Sequence, residues 1–157
     1  MSTSAARRKT STQDAYSQNL GSQLCFALYS TLLGVNKVYR ALLRDLDLTY
    51  PQYLVMLVLW EQDSRNVSDI CSKLFLETTT LTPLLKRLET RGLIQRRRNA
   101  NDERQVIVSL TAAGKALRQQ AKGVPACVAT AMEYSPEQVD ALRGTLEDLR
   151  GKLFKNA

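Results

Sequence analysis

The sequence predicts a mainly α fold with a small β-wing: a winged helix-turn-helix domain flanked by N- and C-terminal dimerisation helices. Three observations predict it. Two short helical patterns lie close together near the middle of the chain. The hydrophobic period then changes from 3.6 to 2 across a basic hairpin. Apolar stripes at both ends exceed what a compact central domain can bury.

The elements follow in order. Leu24, Leu28, Leu32, Val35, Tyr39, Leu42 and Leu46 recur at steps of three and four, which traces one face of a long helix. Gly34 is its weak point, at about 1 kcal/mol relative to alanine. Thr49 and Gln52 form a capping box, with Pro51 in the first turn, so a second helix runs from Tyr50 to roughly Glu61. It is apolar nearly all round and is expected to be buried. Val67, Ile70, Cys71 and Leu74 carry one short helix, and Leu81, Leu84, Leu85 and Leu88 carry the next. Joined by Phe75-Leu76-Glu77, they fit a helix-turn-helix, with Gly92 as the left-handed residue after the second helix. A start at Thr78 puts Pro83 past the first turn, whereas local rules favour an N-cap at Thr80; the sequence leaves that boundary open.

Residues 93–98 and 105–110 alternate as two strands, joined by six polar, turn-forming residues from Asn99 to Arg104. Thr111 caps a helix to about Lys122, which Gly123-Val124-Pro125 interrupts or kinks. Ser135-Pro136-Glu137-Gln138 starts the last helix, on which Val139, Leu142, Leu146, Leu149 and Leu153 form a stripe. The stripes pack either on the domain's own core or, as expected here, on a second copy of the chain. The resulting organisation is a disordered basic arm over residues 1–15 and a single domain over 16–157. The winged helix-turn-helix occupies about 50–110, and the dimerisation helices about 18–46 and 112–155.

Composition narrows the function. The chain has 157 residues, a net charge of +7, three cysteines and no histidine. Between Lys86 and Arg104, seven basic residues face three acids. Such a concentration is either a solvated basic face or a surface for phosphate polyanions, whose binding releases condensed counterions. The missing histidine removes Ser-His and Cys-His catalysis and the commonest metal ligand. Cys25, Cys71 and Cys127 have no metal-binding spacing, and an odd cysteine count argues against a disulfide framework. No enzyme activity, metal or cofactor is expected. The longest apolar run, Tyr53 to Trp60, is too short to span a membrane. The N-terminus does not read as a secretory signal, so a cytoplasmic protein is expected.

The order of elements resembles the MarR family of bacterial regulators over about residues 20–155. Residues 47–53 (DLTYPQY), 80–88 (TLTPLLKRL), and Asp102-Glu-Arg104 with Ser109-Leu-Thr111 resemble its OhrR branch, repressors that sense organic hydroperoxides. Cys25 with Tyr39 and Tyr50 match that branch's reactive cysteine and tyrosine partners, and Cys127 resembles the second cysteine of its two-cysteine members. Cys71 lies outside the pattern and is read as structural.

This resemblance implies a DNA-binding repressor. The helix from about Thr78 to Arg91 becomes the recognition helix, with Thr78, Thr79, Thr80 and Thr82 touching base edges and nearby phosphates. Lys86, Arg87, Arg96, Arg97 and Arg98 hold phosphates. Arg104 enters the minor groove from the wing tip, oriented by Asp102; the competing reading is a surface ion pair with Asp102 or Glu103. Double-stranded DNA with a pseudo-palindromic operator is the implied partner of a homodimer.

A cysteine on an apolar helix face is ordinarily a small buried hydrophobe. As a sensor, Cys25 needs its thiolate stabilised, because a free thiol of pKa about 8.5 is mostly protonated at neutral pH. With no histidine, hydroxyls of Tyr39 and Tyr50, and more weakly Tyr29, are the available donors. Cys25 and Tyr39 stand about 21 Å apart along a continuous helix, so contact requires a break or a second chain. The resemblance implies the second chain, and implies that Cys127 of the other subunit resolves the oxidised Cys25 as an inter-subunit disulfide that releases DNA. The alternative is a MarR-type repressor answering a non-covalent ligand, with the cysteines unused for sensing.

Overall fold

The computed structural model describes residues 17–157, except the side chain of Glu103. The expected basic arm over 1–15 lies outside the described residues. The chain divides between Lys37 and Val38 into two compact units.

The first unit holds a 3-10 turn at Leu20–Ser22 and the opening turns of helix α1 (Leu24–Leu42). Leu24, Phe26, Tyr29, Leu32 and Leu33 on it are exposed. Helix α1 buries no residue along its whole length and ends before Leu46, which belongs to a separate 3-10 turn at Arg44–Leu46.

The second unit is built around α2 (Tyr50–Glu61). Its predicted capping box is present: Thr49 Oγ1 accepts from the Gln52 N–H, and Gln52 Oε1 accepts from the Thr49 N–H at 2.9 Å. Tyr53, Val55, Met56, Leu59 and Trp60 are buried along it. Ile70 of α3 (Val67–Leu74) and Leu81, Leu85 and Leu88 of α4 (Thr78–Thr90) join the same core. Helix α4 ends as predicted at Gly92, which takes φ +69° while the Leu93 N–H reaches back to the Leu88 carbonyl.

Strands β1 (Arg65–Asn66), β2 (Ile94–Asn99) and β3 (Asp102–Leu110) form an antiparallel sheet in the order β1-β3-β2. Two details differ from expectation. The wing hairpin is tighter than a six-residue loop, since Asn99 pairs directly with Asp102. The polar residues that read as loop supply side-chain acceptors to the hairpin's own backbone: Asn99 Oδ1 for the Asn101 N–H and Asp102 Oδ1 for the Arg104 N–H, both at 3.0 Å. Strand β1 was not foreseen, because two residues carry no periodicity.

Thr111 caps α5 (Ala112–Gln120) and donates its hydroxyl to the Gly92 carbonyl at 2.6 Å. After a 3-10 turn at Ala121–Gly123, a separate helix α6 (Val124–Met132) begins. Pro125 sits in its first turn, where the missing N–H has no partner to lose, so the segment expected to interrupt a helix starts one. Helix α7 (Pro136–Lys155) opens on the predicted Ser135–Gln138 capping box. The closing part therefore has three helices, not two. Among the described residues no helix is long and apolar enough to cross a membrane. The architecture is the predicted mainly α fold with a small β-wing.

Candidate DNA interface and redox site

Helix α4 starts at Thr78, with Glu77 at the N-cap making no side-chain cap, so Pro83 lies inside the helix. The proline deprives the Thr79 carbonyl of its usual donor. Burial of Leu81, Leu85 and Leu88 along the opposite face holds the helix regular through that loss. The Glu77 carbonyl accepts from the N–H groups of Thr80 and Leu81, which puts the N-cap three residues before the Thr80 that local rules favour. Thr78, Thr79, Thr80 and Thr82 are all exposed on this first turn and a half, and the Thr82 hydroxyl donates to the Thr78 carbonyl at 2.8 Å. Cys71 is half-buried on α3, its Sγ 3.8 Å from Thr78 Oγ1. Lys86 and Arg87 are exposed further along α4.

The wing arginines are not equivalent. Arg96 is bound to Glu89 of α4: its backbone N–H donates to Oε1 at 3.0 Å, and Nε and Nη2 donate to Oε2 at 2.9 and 2.6 Å. The hydrogen bond from Arg96 holds the Glu89 carboxyl below the usual range. Arg96 thus fastens the wing to α4, a role the sequence reading, which gave it to phosphate, did not assign. Arg97 donates to Gln95 Oε1 at 3.1 Å, and Arg97, Arg98 and Arg104 are exposed. Asp102 acts on Arg104 through the backbone, accepting its N–H, while the other carboxylate oxygen takes Gln105 Nε2 at 3.1 Å.

The aromatic residues form a second site. Tyr39, in the last turn of α1, stacks on Tyr50, the first residue of α2, with ring centroids 4.0 Å apart and planes at 21°. Tyr53 lies 5.8 Å from Tyr39 and Trp60 6.1 Å from Tyr53. Burial, then the charges of Tyr50 and Tyr53, push the Tyr39 phenol up to about 12. Burial also raises Tyr50 and Tyr53. These phenols keep their protons at any neutral pH and stand as hydrogen-bond donors. Tyr53 was missed as a member; its place one turn beyond Tyr50 on α2 was the available signal.

Cys25 is exposed in the first turn of α1, with Tyr29, also exposed, one turn later. Cys127 is exposed on α6, and all three cysteines are free thiols. Cys25 belongs to the first unit, whereas Tyr39, Tyr50 and Cys127 belong to the second. Among the described residues no cluster of His, Cys, Asp or Glu could hold a metal ion.

Known proteins match this chain over most of its length. A family model described as transcriptional regulator SarA/Rot matches residues 37–120. The HTH-type transcriptional regulator TtmR of Methylorubrum extorquens (strain PA1) is 44% identical over 140 residues, 89% of this chain and 72% of its own. The organic hydroperoxide resistance transcriptional regulator of Bacillus subtilis (strain 168) is 42% identical over 130 residues, 83% of this chain and 88% of its own. Among solved structures, reduced AbfR bound to DNA superposes with a TM-score of 0.75 at 34% identity, covering 87% of this chain and 93% of that one; AbfR is from Staphylococcus epidermidis. Its disulfide-formed state gives a TM-score of 0.60 at 37% identity, covering 83% and 91%. With the helix-turn-helix, the basic wing and these relatives in agreement, the chain belongs to the MarR family of winged-helix proteins and is a DNA-binding transcriptional regulator.

Proposed function

We propose that this regulator is a repressor that senses organic hydroperoxides through Cys25. The observation that carries the reading is the stacked Tyr39–Tyr50 pair, two proton-holding phenols with no catalytic histidine anywhere in the chain. The fourteen residues from Cys25 to Tyr39 amount to about 21 Å of helical rise, and the resemblance to the OhrR branch supports a pair that serves the thiolate of a second copy. The 42% identity to an organic hydroperoxide resistance regulator supports the effector class.

In the first step the Cys25 thiolate attacks the terminal oxygen of the hydroperoxide. The O–O bond breaks, and the alkoxide leaves and takes up a proton as the alcohol. Cys25 is left as a sulfenic acid. The thiol of Cys127 from the other subunit then attacks that sulfur, a disulfide forms and water leaves. A disulfide holds its two Cα atoms at about 4.4–6.8 Å, so the bond sets the distance between the elements that carry them. Moving α1 against α6 of the partner alters the separation of the two α4 helices, and the operator is released. Thr78, Thr79, Thr80 and Thr82 read the major groove; Lys86, Arg87, Arg97 and Arg98 hold phosphates; Arg104 enters the minor groove.

The deciding experiment is a non-reducing gel of the protein with one equivalent of cumene hydroperoxide, beside Cys25→Ser and Cys127→Ser. The expected result is a covalent dimer in the wild type and in neither variant. A wild type that stays monomeric on the gel, with Cys25 still titratable as a thiol, overturns the reading. A Cys25→Ser protein that still leaves the operator when effector is added points instead to a non-covalent ligand.

A further inference from the structure

The turn between α3 and α4 is built on an uncommon choice of residue. Phe75 ends α3 with φ 55° and ψ 38°, and the N–H groups of Phe75 and Leu76 both return to the Cys71 carbonyl, the second at 3.0 Å. Such left-handed positions ordinarily fall to glycine or asparagine, because a Cβ there crowds the backbone. Phe75 accepts that crowding and gains no core contact for it: the residue is more than half exposed and stands outside the buried cluster. Helix α4 begins three residues later at Thr78, with an N-cap, Glu77, that makes no side-chain bond. The first turn of the recognition helix therefore takes its direction from this turn and not from a cap of its own.

What meets the Phe75 ring comes from the far end of the sequence. Phe154, in the last turn of α7, has its ring centroid 5.4 Å away and its plane tilted by 39°. The Arg150 Cζ stands over the Phe75 ring, 4.2 Å from its centroid. Both separations fall within the ranges over which aromatic pairs and cation–π contacts attract. Arg150 and Phe154 are one helical turn apart and share a face. Arg150 forms no ion pair among the described residues, so no carboxylate competes with the ring for its charge. That face lies about a quarter turn round α7 from Leu142, Leu146 and Leu153. One helix thus carries an uncovered leucine stripe and, beside it, a hold on the helix-turn-helix.

We propose that Phe75, Arg150 and Phe154 are positioning residues for DNA binding, a clasp through which α7 sets the angle at which α4 meets the major groove. None of the three has to touch a base. Phe75 is the lever, joined by the backbone to Thr78, and the Arg150–Phe154 face holds it. The exposed leucine stripe gives the clasp a further consequence. A second copy of the chain that covers the stripe fixes α7, and with it the first turn of α4. The placement of each recognition helix is then set from the C-terminal helix, by a route that does not pass through Cys25. The clasp rests on the chain's DNA binding and is independent of the redox reading.

The test uses full-length protein kept reduced, with no peroxide present. A duplex selected from random-sequence DNA for tight binding to wild type is compared with an unselected duplex of equal length, both by fluorescence anisotropy. Phe75→Gly keeps the left-handed turn and removes the ring. Phe154→Ala removes the other ring and leaves the turn untouched. Each is expected to weaken binding to the selected duplex about tenfold, from about threefold in each of two half-sites, the scale of one aromatic pair. Binding to the unselected duplex and the melting temperature by circular dichroism stay at the wild-type values. The double variant is expected to lose no more than either single one, because the two rings make one contact. Phe154→Tyr, which keeps the ring, is expected to bind as wild type does. Selected-duplex affinity at the wild-type value in both single variants overturns the proposal. So do equal losses on the two duplexes, losses that multiply in the double variant, or losses that track a fall in melting temperature.

Discussion

Helices α2 and α7 begin alike and end up in opposite environments. Each opens on a capping box with proline in the first turn, Thr49–Gln52 for α2 and Ser135–Gln138 for α7. Yet α2 buries seven of its twelve residues and α7 none of its twenty. Local capping thus fixes where a helix starts and says nothing about what covers it. The stripe on α7 leaves Leu142, Leu146 and Leu153 at 47%, 39% and 58% exposure. Each leucine left in water forgoes about 1.5–3 kcal/mol of burial. Helix α1 shows the same condition, with Leu24, Tyr29 and Leu32 exposed at 61%, 60% and 52%. The winged-helix core is complete in one chain, and the proposed homodimer is what gives the outer helices a counterpart.

The sharpest way to break the core side of that contrast is Gly114→Ala. A Cβ at Gly114 meets the Leu93 carbonyl oxygen at 2.0 Å and Leu110 Cδ2 at 3.2 Å. Its own carbonyl accepts the Trp60 indole N–H at 2.9 Å, so the backbone is held from both sides. The expected loss in urea denaturation is about 3 kcal/mol or more, the upper end for overpacking against backbone. A loss below about 1 kcal/mol would mean that α5 slides freely against the wing, contrary to this packing.

The outer helices break differently. Leu142→Glu with Leu146→Glu is expected to leave the core's urea midpoint nearly unchanged and to make the protein monomeric in sedimentation equilibrium. Operator affinity then drops at least about 100-fold, because two linked half-site contacts become one. A double variant that stays dimeric and binds DNA normally sinks the proposed role of α7.

Within the basic hairpin the same reasoning separates two arginines. Arg104→Ala, at the exposed wing tip, is expected to weaken operator binding about 10- to 100-fold in anisotropy titrations, with melting unchanged. Arg96→Ala removes the link to Glu89 and is expected to cost stability, up to about 1 kcal/mol for a partly exposed pair, with a smaller effect on affinity. The reverse ranking would move the phosphate role back to Arg96.

Which parts were legible follows from the range of the forces involved. The starts of α2 and α7, the Thr111 cap and the left-handed Gly92 rest on residues within four positions of each other, and the sequence displays them. The start of α4 was left open because its N-cap, Glu77, contributes no side-chain bond and because buried Leu81, Leu85 and Leu88 carry a mid-helix Pro83. The Arg96–Glu89 link and the Arg91 hold on Asp47 join different elements, so no periodic pattern announces them. The contact of Phe75 in the helix-turn-helix with Phe154 of α7, at 5.4 Å with Arg150 over the Phe75 ring, was equally invisible. For the redox site, residue type alone reads Cys25 as an ordinary cysteine on an apolar helix face, and the sensing role rests on the family resemblance. The Tyr39–Tyr50 pairing came from family resemblance, since it depends on how α1 meets α2.

That pairing makes the smallest and most local prediction. Burial, with Tyr50 and Tyr53, pushes the Tyr39 phenol up to about 12, so an absorbance titration at alkaline pH separates it from phenols near the ordinary value of about 10. Tyr39 is expected to give a late phenolate step that Tyr39→Phe removes. The sign for stability follows from linkage. The raised folded-state pKa makes protonated Tyr39 a stabilising group, fully so below its unfolded value of about 10. That stabilisation is lost as pH rises from there through about 12. Wild type should therefore lose more stability across that window than Tyr39→Phe does. Identical losses would show that the phenol is solvated like any surface tyrosine, and a solvated phenol is a poor choice to hold a thiolate. The core-facing position of the pair would then mark it as packing, and the sensing role would have to rest on Cys25 and Cys127 alone.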